Sequence, residues 1–571
     1  MTVKMNKKIY ILMAVLTGAL FFTSCEDFLT SVNTTNANQE TYFESDAALE
    51  TATAPLYNYV WHSFNDKLYY SMGDGRSNNL TARWSDYIYP FTNFTETALS
   101  PGLEEAWGSL YSVIAQANYT INNIRNFSSE KVSEEAKVQA YAESRFMRGV
   151  AYWYIASLWG KGIIYEDTAA QVADPIVPAH RQTDVMEFAI RDLEYAAANL
   201  SQSSKNPGRV TLYSAFGMLS RVYLSMAGLT TEGAYDGNNI EKNFNDGVRN
   251  EYYLDLARKA ALKCMEGPYS LLPEYKQLFA VETWNNNAES VFQLQWLPGA
   301  TDAIGWGCNN GLSAYFSWST NVGETNWGNA TYASWDMVQE YDPADVKRRH
   351  ATIATVGAEY PELWVALQAD GDVYTYNVSE QAGEYENKCN IKKHVIGTNK
   401  DNGQSYQQSS GVNTYMMRLA EVYLNLAEAI LGNNATTNDP VALQYYNAVR
   451  TRAGMPTKMI IQYEDLRYER RIELAYEGQY WYDLIRRAYY QQQEVVDYMN
   501  AQERNRGYDW DEATSTYKMD EDPGEGVSVA TAQHLLIPIS DVDRGRNNLL
   551  NGEPVVYEFG EREVSVAELY N

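Results

Sequence analysis

The chain has 571 residues, with 73 Asp and Glu against 45 Lys and Arg, a formal charge of −28. That charge repels phosphate backbones and anionic headgroups, which excludes nucleic acid as a partner and a basic patch as the means of holding a membrane. Hydrophobic residues make up 45% of the chain, enough for a packed core and too many for a disordered one.

Lys4, Lys7 and Lys8 precede an apolar run at 9–22 that ends in Phe22-Thr23-Ser24-Cys25. The run is too short for a spanning helix and has the flanks of a secretory leader. Small residues just before a Cys are what bacterial lipoprotein processing reads. Residues 1–24 are therefore expected to be a signal peptide, and Cys25 the lipidated residue, with 25–45 as a tether. Several acyl chains on one residue give stable anchoring where a single chain does not. The other cysteines, Cys264, Cys308 and Cys389, are odd in number and support no disulfide framework.

From 46 onward the apolar spacing is helical. Helices are predicted at 46–59, 103–126, 133–159, 184–200, 211–226 and 252–266. Ser133 offers a cap, with Glu134 and Glu135 in the first turn. The inner face of that helix would carry Val138, Tyr141, Ala142, Arg145, Gly149, Tyr152, Trp153 and Ala156. Between 271 and 415 the helical period fades and Gly, Asn, Ser, Thr and aromatics dominate, with short strands expected at 290–297 and 392–396. Helices resume at 415–431, 440–452, 463–476 and 479–498, and 501–571 reads as mostly irregular with an extended piece at 534–539. The expected fold is mainly α, a tetratricopeptide-like helical scaffold at 46–270 and 416–500. A long irregular, partly β, ligand-binding insertion occupies 271–415.

The aromatic content points to the ligand. Of 14 Trp, six lie between 284 and 335: Trp284, Trp296, Trp306, Trp318, Trp327 and Trp335. An indole stacks on the C–H face of a sugar, while carboxylates, amides and Arg bond its hydroxyls, so convergent aromatics with a few polar groups make a glycan platform. Trp284, Trp296 and Trp335 adjoin apolar or helical stretches and read as core, as do Trp153, Trp159 and Trp481. Trp306, Trp318 and Trp327 lie among Gly, Ser and Asn and read as ligand contacts, with Tyr315 beside them. A second polar-aromatic stretch at 69–89 adds Trp84 and, in the turn Gly73-Asp74-Gly75-Arg76, a carboxylate and a guanidinium. The expected glycan-binding set is Trp84, Trp306, Tyr315, Trp318, Trp327, Asp74 and Arg76.

Nearly the whole length is similar to one family. Cys25-Glu26-Asp27-Phe28-Leu29, WGSLYSVIAQAN at 107–118, AESRFMRGVAYWY at 142–154 and RVTLYSAFGMLSRVY at 209–223 resemble stretches of the SusD/RagB-like outer-membrane lipoproteins. MRLAEVYLNLAEA at 417–429, NAVRTRAG at 447–454, ERRIELAYEGQYWYDL at 469–484 and LLIPI at 535–539 extend the likeness. Gln479 stands where Arg is commoner, and Ile485-Arg486-Arg487 replaces an Arg-Trp ending. The resemblance implies a tetratricopeptide-like α fold, a glycan-binding face built from loops, no catalysis and no cofactor. It also implies a TonB-dependent outer-membrane transporter as partner. The charged residues inside the motifs, Arg145, Arg148, Glu428, Arg450, Arg452, Glu469, Arg470 and Glu473, read as ion pairs between helices.

Two other readings compete. A helical glycoside hydrolase or lyase needs two placed carboxylates, which 73 acids do not exclude. The five His are scattered with no metal-ligand spacing, and Asp370-Gly371-Asp372 and Asp520-Glu521-Asp522 fall short of a complete Ca²⁺ loop, so no metal is expected. Peptide capture would favour a broad polar cavity over stacked indoles.

Overall fold

The computed structural model describes residues 43–571 except 83–84, 169–170, 172–173, 298–306, 326–330, 381–386 and 522–523. Cys25 and the leader lie outside the described residues. No described helix is long and apolar enough to cross a membrane.

The scaffold is helical. In its N-terminal half are α1 (Asp46–Thr53), α2 (Leu103–Phe127), α3 (Glu134–Trp159), α4 (Gln182–Asn199), α5 (Leu212–Leu229) and α6 (Glu251–Cys264). Each of α2 to α6 packs on the next, so the chain runs as a series of antiparallel hairpins. The Ser133 hydroxyl accepts the Ala136 N–H at 3.2 Å and starts α3, and Gly160, in the left-handed region, ends it. Every residue of α3 from Ala140 to Trp159 is buried, whereas Val138, expected inside, is exposed. Gly149 sets the spacing of α3 and α4. A Cβ there would stand 3.0 Å from the Ala189 carbonyl and 3.1 Å from the Asp192 Cβ.

The C-terminal half adds α7 (Leu419–Leu431), α8 (Pro440–Ala453), α9 (Tyr463–Glu473), α10 (Tyr480–Ala488) and α11 (Gln492–Ala501). Helices α6 and α7 pack together and join the two halves. The helix expected at 479–498 is broken because the chain between α10 and α11 bonds a neighbouring loop: Gly247 N–H donates to Tyr490 O at 2.9 Å and Gln492 N–H to Phe244 O at 2.9 Å.

Four short strands concern the site: β1 (Leu80–Ala82), β2 (Ser290–Leu294), β3 (Thr331–Ala333) and β4 (Thr414–Arg418). Strands β2 and β4 pair antiparallel and bracket the aromatic-rich segment; β1 and β3 pair antiparallel, Leu80 opposite Ala333 and Ala82 opposite Thr331. Residues 415–418 are thus strand, not the first turn of α7. All five residues of β4 are buried, and a short apolar run carries no period that separates strand from helix. The strand expected at 392–396 is a turn, closed by Val395 N–H to Lys392 O at 2.8 Å, and the bridging residues lie just before it, Asn390 to Tyr332 and Ile391 to Ile353.

The charged motif residues lie inside. Arg418, at the end of β4, pairs with Glu289 at 2.6 Å, Glu473 at 3.1 Å and Glu477 at 2.6 Å. Arg452 on α8 pairs with the same Glu289 and Glu473, and Arg348 reaches Glu469 at 2.6 Å and Glu473 at 3.3 Å. Arg450 holds Glu469 at 2.7 Å, Arg148 holds Asp192 at 2.7 Å, and Arg486 and Arg249 share Glu428. Burial alone would raise the Glu477 and Glu428 carboxyls. The guanidiniums of Arg418 and Arg486, helped by Lys393 and Arg249, outweigh burial and hold both down to about 2. The expectation that these residues are structural ion pairs is met.

Candidate functional site

The described part of the aromatic-rich segment meets the residues before α2 at an exposed edge. Tyr315 lies on a short helix, Leu312–Phe316, and is half-buried. Its ring centroid stands 4.8 Å from that of buried Tyr70, and its hydroxyl is 3.5 Å from Lys67 Nζ. Lys67 also sits 4.5 Å over the Tyr87 ring and pairs with Asp66 at 2.8 Å. Burial works against the Lys67 ammonium, but the Asp66 carboxylate outweighs it and keeps the ammonium charged well above its usual range. One cation therefore braces two half-exposed tyrosines. Gly311 and Asn310 close the back of this edge. A Cβ at Gly311 would stand 2.8 Å from Asp66 Oδ1, and Asn65 Nδ2 donates to Asn310 Oδ1 at 3.3 Å.

Tyr59 adds an exposed ring, 63% accessible, against Gly307. Gly307 has a φ of +121°, which only glycine adopts freely, and it ends the 298–306 segment. Leu297 N–H to Cys308 O at 2.9 Å closes that loop at its base.

Trp84, Trp306 and Trp327 lie outside the described residues, but their points of attachment do not. Trp306 directly precedes Gly307, under Tyr59. Ala82, two residues before Trp84, is the register partner of Thr331, four residues after Trp327. In an antiparallel pair these are the same end of the ribbon, so residues 82 and 331 are neighbours there. Sequence distance gives no hint of this meeting, because 249 positions separate Ala82 from Thr331.

The other expected site residues are withdrawn from the surface. Trp318 is 1% exposed; its Nε1 donates to the Tyr374 hydroxyl at 3.1 Å and its ring meets Tyr376 edge-on at 5.2 Å. It offers no free face for a sugar. Asp74 is fully buried and accepts N–H groups from Tyr476 at 2.7 Å, Gly478 at 2.8 Å and the Asn79 side chain at 2.9 Å. Burial pushes its carboxyl up to about 6 in spite of these bonds. Arg76 is also fully buried, paired with Glu96 at 2.7 Å and bonded to His534 O at 2.6 Å. The 73–76 stretch is a chain crossing, not a surface turn. A Cβ at Gly73 would lie 2.2 Å from the Gly478 backbone, so the glycine serves close approach. Trp284, Trp296 and Trp335, read as core, are buried.

Lys67, Tyr87 and Tyr59 are the contributors that sequence reasoning passed over. Tyr59 ends an expected helix, Tyr87 lies in the polar-aromatic stretch at 69–89 without being singled out, and Lys67 falls between the two; only the partner segments around Gly307 and Tyr315 mark them.

The comparisons give this arrangement its relatives. Residues 288–554 match the model of the SusD family, and residues 27–224 match that of the starch-binding proteins associating with the outer membrane. A SusD-like protein of Bacteroides ovatus is 37% identical over 575 residues, covering 96% of this chain and 98% of its own. The starch-binding protein SusD of Bacteroides thetaiotaomicron is 24% identical, covering 76% of this chain and 77% of its own. A crystal structure solved with xylogluco-oligosaccharide is 36% identical, with a TM-score of 0.79, covering 90% of this chain and all of its own. On a mainly helical, tetratricopeptide-like scaffold with small strand pairs, and with this sequence likeness along nearly its whole length, the chain belongs to the SusD/RagB-like family.

Proposed function

We propose that this protein captures a neutral oligosaccharide at the cell surface, on the aromatic edge of Tyr59, Tyr87 and Tyr315, with Trp84, Trp306 and Trp327 as further sugar contacts. The observation that carries this reading is the 36%-identical relative solved with xylogluco-oligosaccharide, which covers 90% of this chain. A xyloglucan fragment is accordingly the first ligand to test. The chemistry of the edge fits: half-exposed rings supply flat apolar faces, while Lys67 and the Tyr hydroxyls supply polar contacts. The charge of −28 favours an uncharged glycan over a polyanionic one. The protein acts as a binder and not as an enzyme. Acyl chains on Cys25 hold it at the outer membrane, and a TonB-dependent transporter takes the captured sugar onward.

Calorimetric titration of protein lacking residues 1–25 with xylogluco-oligosaccharide, with starch and laminarin oligosaccharides as comparators, tests this. Saturable heat with xylogluco-oligosaccharide is expected, with no new reducing ends after incubation. Absence of binding to every neutral glycan would sink the reading, and appearance of reducing ends would make the protein a hydrolase.

A further inference from the structure

Arg504 breaks the rule that the rest of the interior keeps. Every other buried Lys or Arg among the described residues has a carboxylate partner. Arg504 has only neutral oxygens: Thr92 O at 2.8 Å, Arg76 O at 2.9 Å and Gln502 Oε1 at 2.6 Å. Its guanidinium lies 4.0 Å over the Phe94 ring, and that of Arg76 lies 5.1 Å from the same ring. Of the two buried cations at this ring, only Arg76 has a carboxylate, Glu96. The neighbouring acid Asp336 is committed elsewhere, paired with Arg471 at 2.6 Å. A histidine cannot supply countercharge, and burial lowers the pKa of His534, which disfavours a third cation here.

The hydrogen-bond inventory errs in the same direction. Arg504 Nε, Arg76 Nε and Nη1, Asn93 Nδ2 and Trp481 Nε1 are buried donors with no partner, against a single unpartnered acceptor on this group, Glu96 Oε2. Asn93 follows Thr92, whose carbonyl Arg504 holds, and the Trp481 ring lies 5.0 Å from the Arg76 guanidinium. A surplus of donors and a surplus of positive charge at one place describe a site for an anion. Water meets donors but brings no charge, and a buried unpaired cation is costly. Because Arg76, Asn93, Trp481 and Arg504 are all buried, the ion must be small. Burial, reinforced by the Arg76 charge, bears on the Arg504 cation in the same sense and pushes its pKa down to about 9.

We propose that Arg504 and Arg76 bind a small monovalent anion, a halide such as chloride, beside Phe94. The ion ties residues 71–76, which lead into β1 and the ribbon below the glycan edge, to the segment after α11. It is a structural ion and takes no part in sugar contact.

The test is anomalous diffraction from crystals of the unaltered protein grown in bromide, with melting curves in chloride and in gluconate at equal ionic strength. A bromide peak within hydrogen-bonding distance of both guanidiniums is expected. The melting temperature should be higher in chloride, by an amount that grows with chloride concentration as a linked ligand requires, and Arg504→Met should lose that dependence. Ordered water alone or no density at this place in bromide overturns the proposal, as does melting indifferent to the halide. Should Arg504→Met fail to fold, the bromide map of the unaltered protein decides.

Discussion

Trp306 and Trp318 stand in the same Gly- and Asn-rich stretch, and composition gives them equal claim to a ligand. For Trp318 the decision comes from what lies opposite it. Trp318 finds Tyr374 and Tyr376, two rings more than 50 positions away in the chain, and is buried between them. Trp318→Ala should therefore cost about 3–5 kcal/mol of stability, as a large ring lost from a packed interior does, measured by urea denaturation. Trp84, Trp306 and Trp327 carry the opposite expectation. Replacing any one that stacks on a sugar by Ala should cost about 2–4 kcal/mol of binding, roughly a 30- to 700-fold loss of affinity, with an unchanged melting curve. If all three variants titrate like the parent, the platform lies elsewhere on the surface. Asp74 and Arg76 teach the same lesson from the polar side. A Gly-x-Gly stretch reads as a solvated turn, and nothing local reveals that Gly478 presses on Gly73.

At the scale of elements, the charged motif residues are a network and not a set of pairs. Glu473 alone joins Arg348, Arg418 and Arg452, so it links α9 to β4, to α8 and to the aromatic-rich segment. Removing one member leaves buried charge uncompensated. Glu473→Gln should destabilise by about 3–5 kcal/mol while the remaining folded protein binds glycan as before. Loss of binding with normal melting would turn this network into a site. Acid should find the same weakness. Glu477 and Glu428 titrate near 2 in the folded protein against 4.5 ordinarily, so the stability they bring is complete above about pH 4.5 and drains away as pH falls toward 2. Melting temperature against pH should drop steeply in that window, and the drop should be shallower in Glu428→Gln. The pairs were legible in sequence because Arg and Glu recur on otherwise apolar helix faces. Which Arg meets which Glu was not, since Arg418 sits on a strand that the apolar period disguised as helix.

At the scale of the whole molecule, a strongly acidic body cannot use charge to stay at an anionic surface. The proposed lipid on Cys25 would then be the means of attachment. Cys25→Ala is expected to move the protein out of the outer-membrane fraction, followed by immunoblotting of fractionated cells. A variant that still sediments with membranes as the parent does would refute lipid anchoring at this residue.

By itself the sequence determined the helical class, the helix order, the family and which charged residues would pair inside. All of these rest on local periodicity or on residues close together in the chain. Tertiary structure alone decided which aromatics face outward. A tryptophan is core or ligand contact according to what packs against it, and here the packing partners come from distant segments: Ala82 beside Thr331, Tyr59 against Gly307, Lys67 between Tyr87 and Tyr315. The same holds for Arg504, whose lack of a carboxylate is a property of the assembled interior and is written nowhere along the chain.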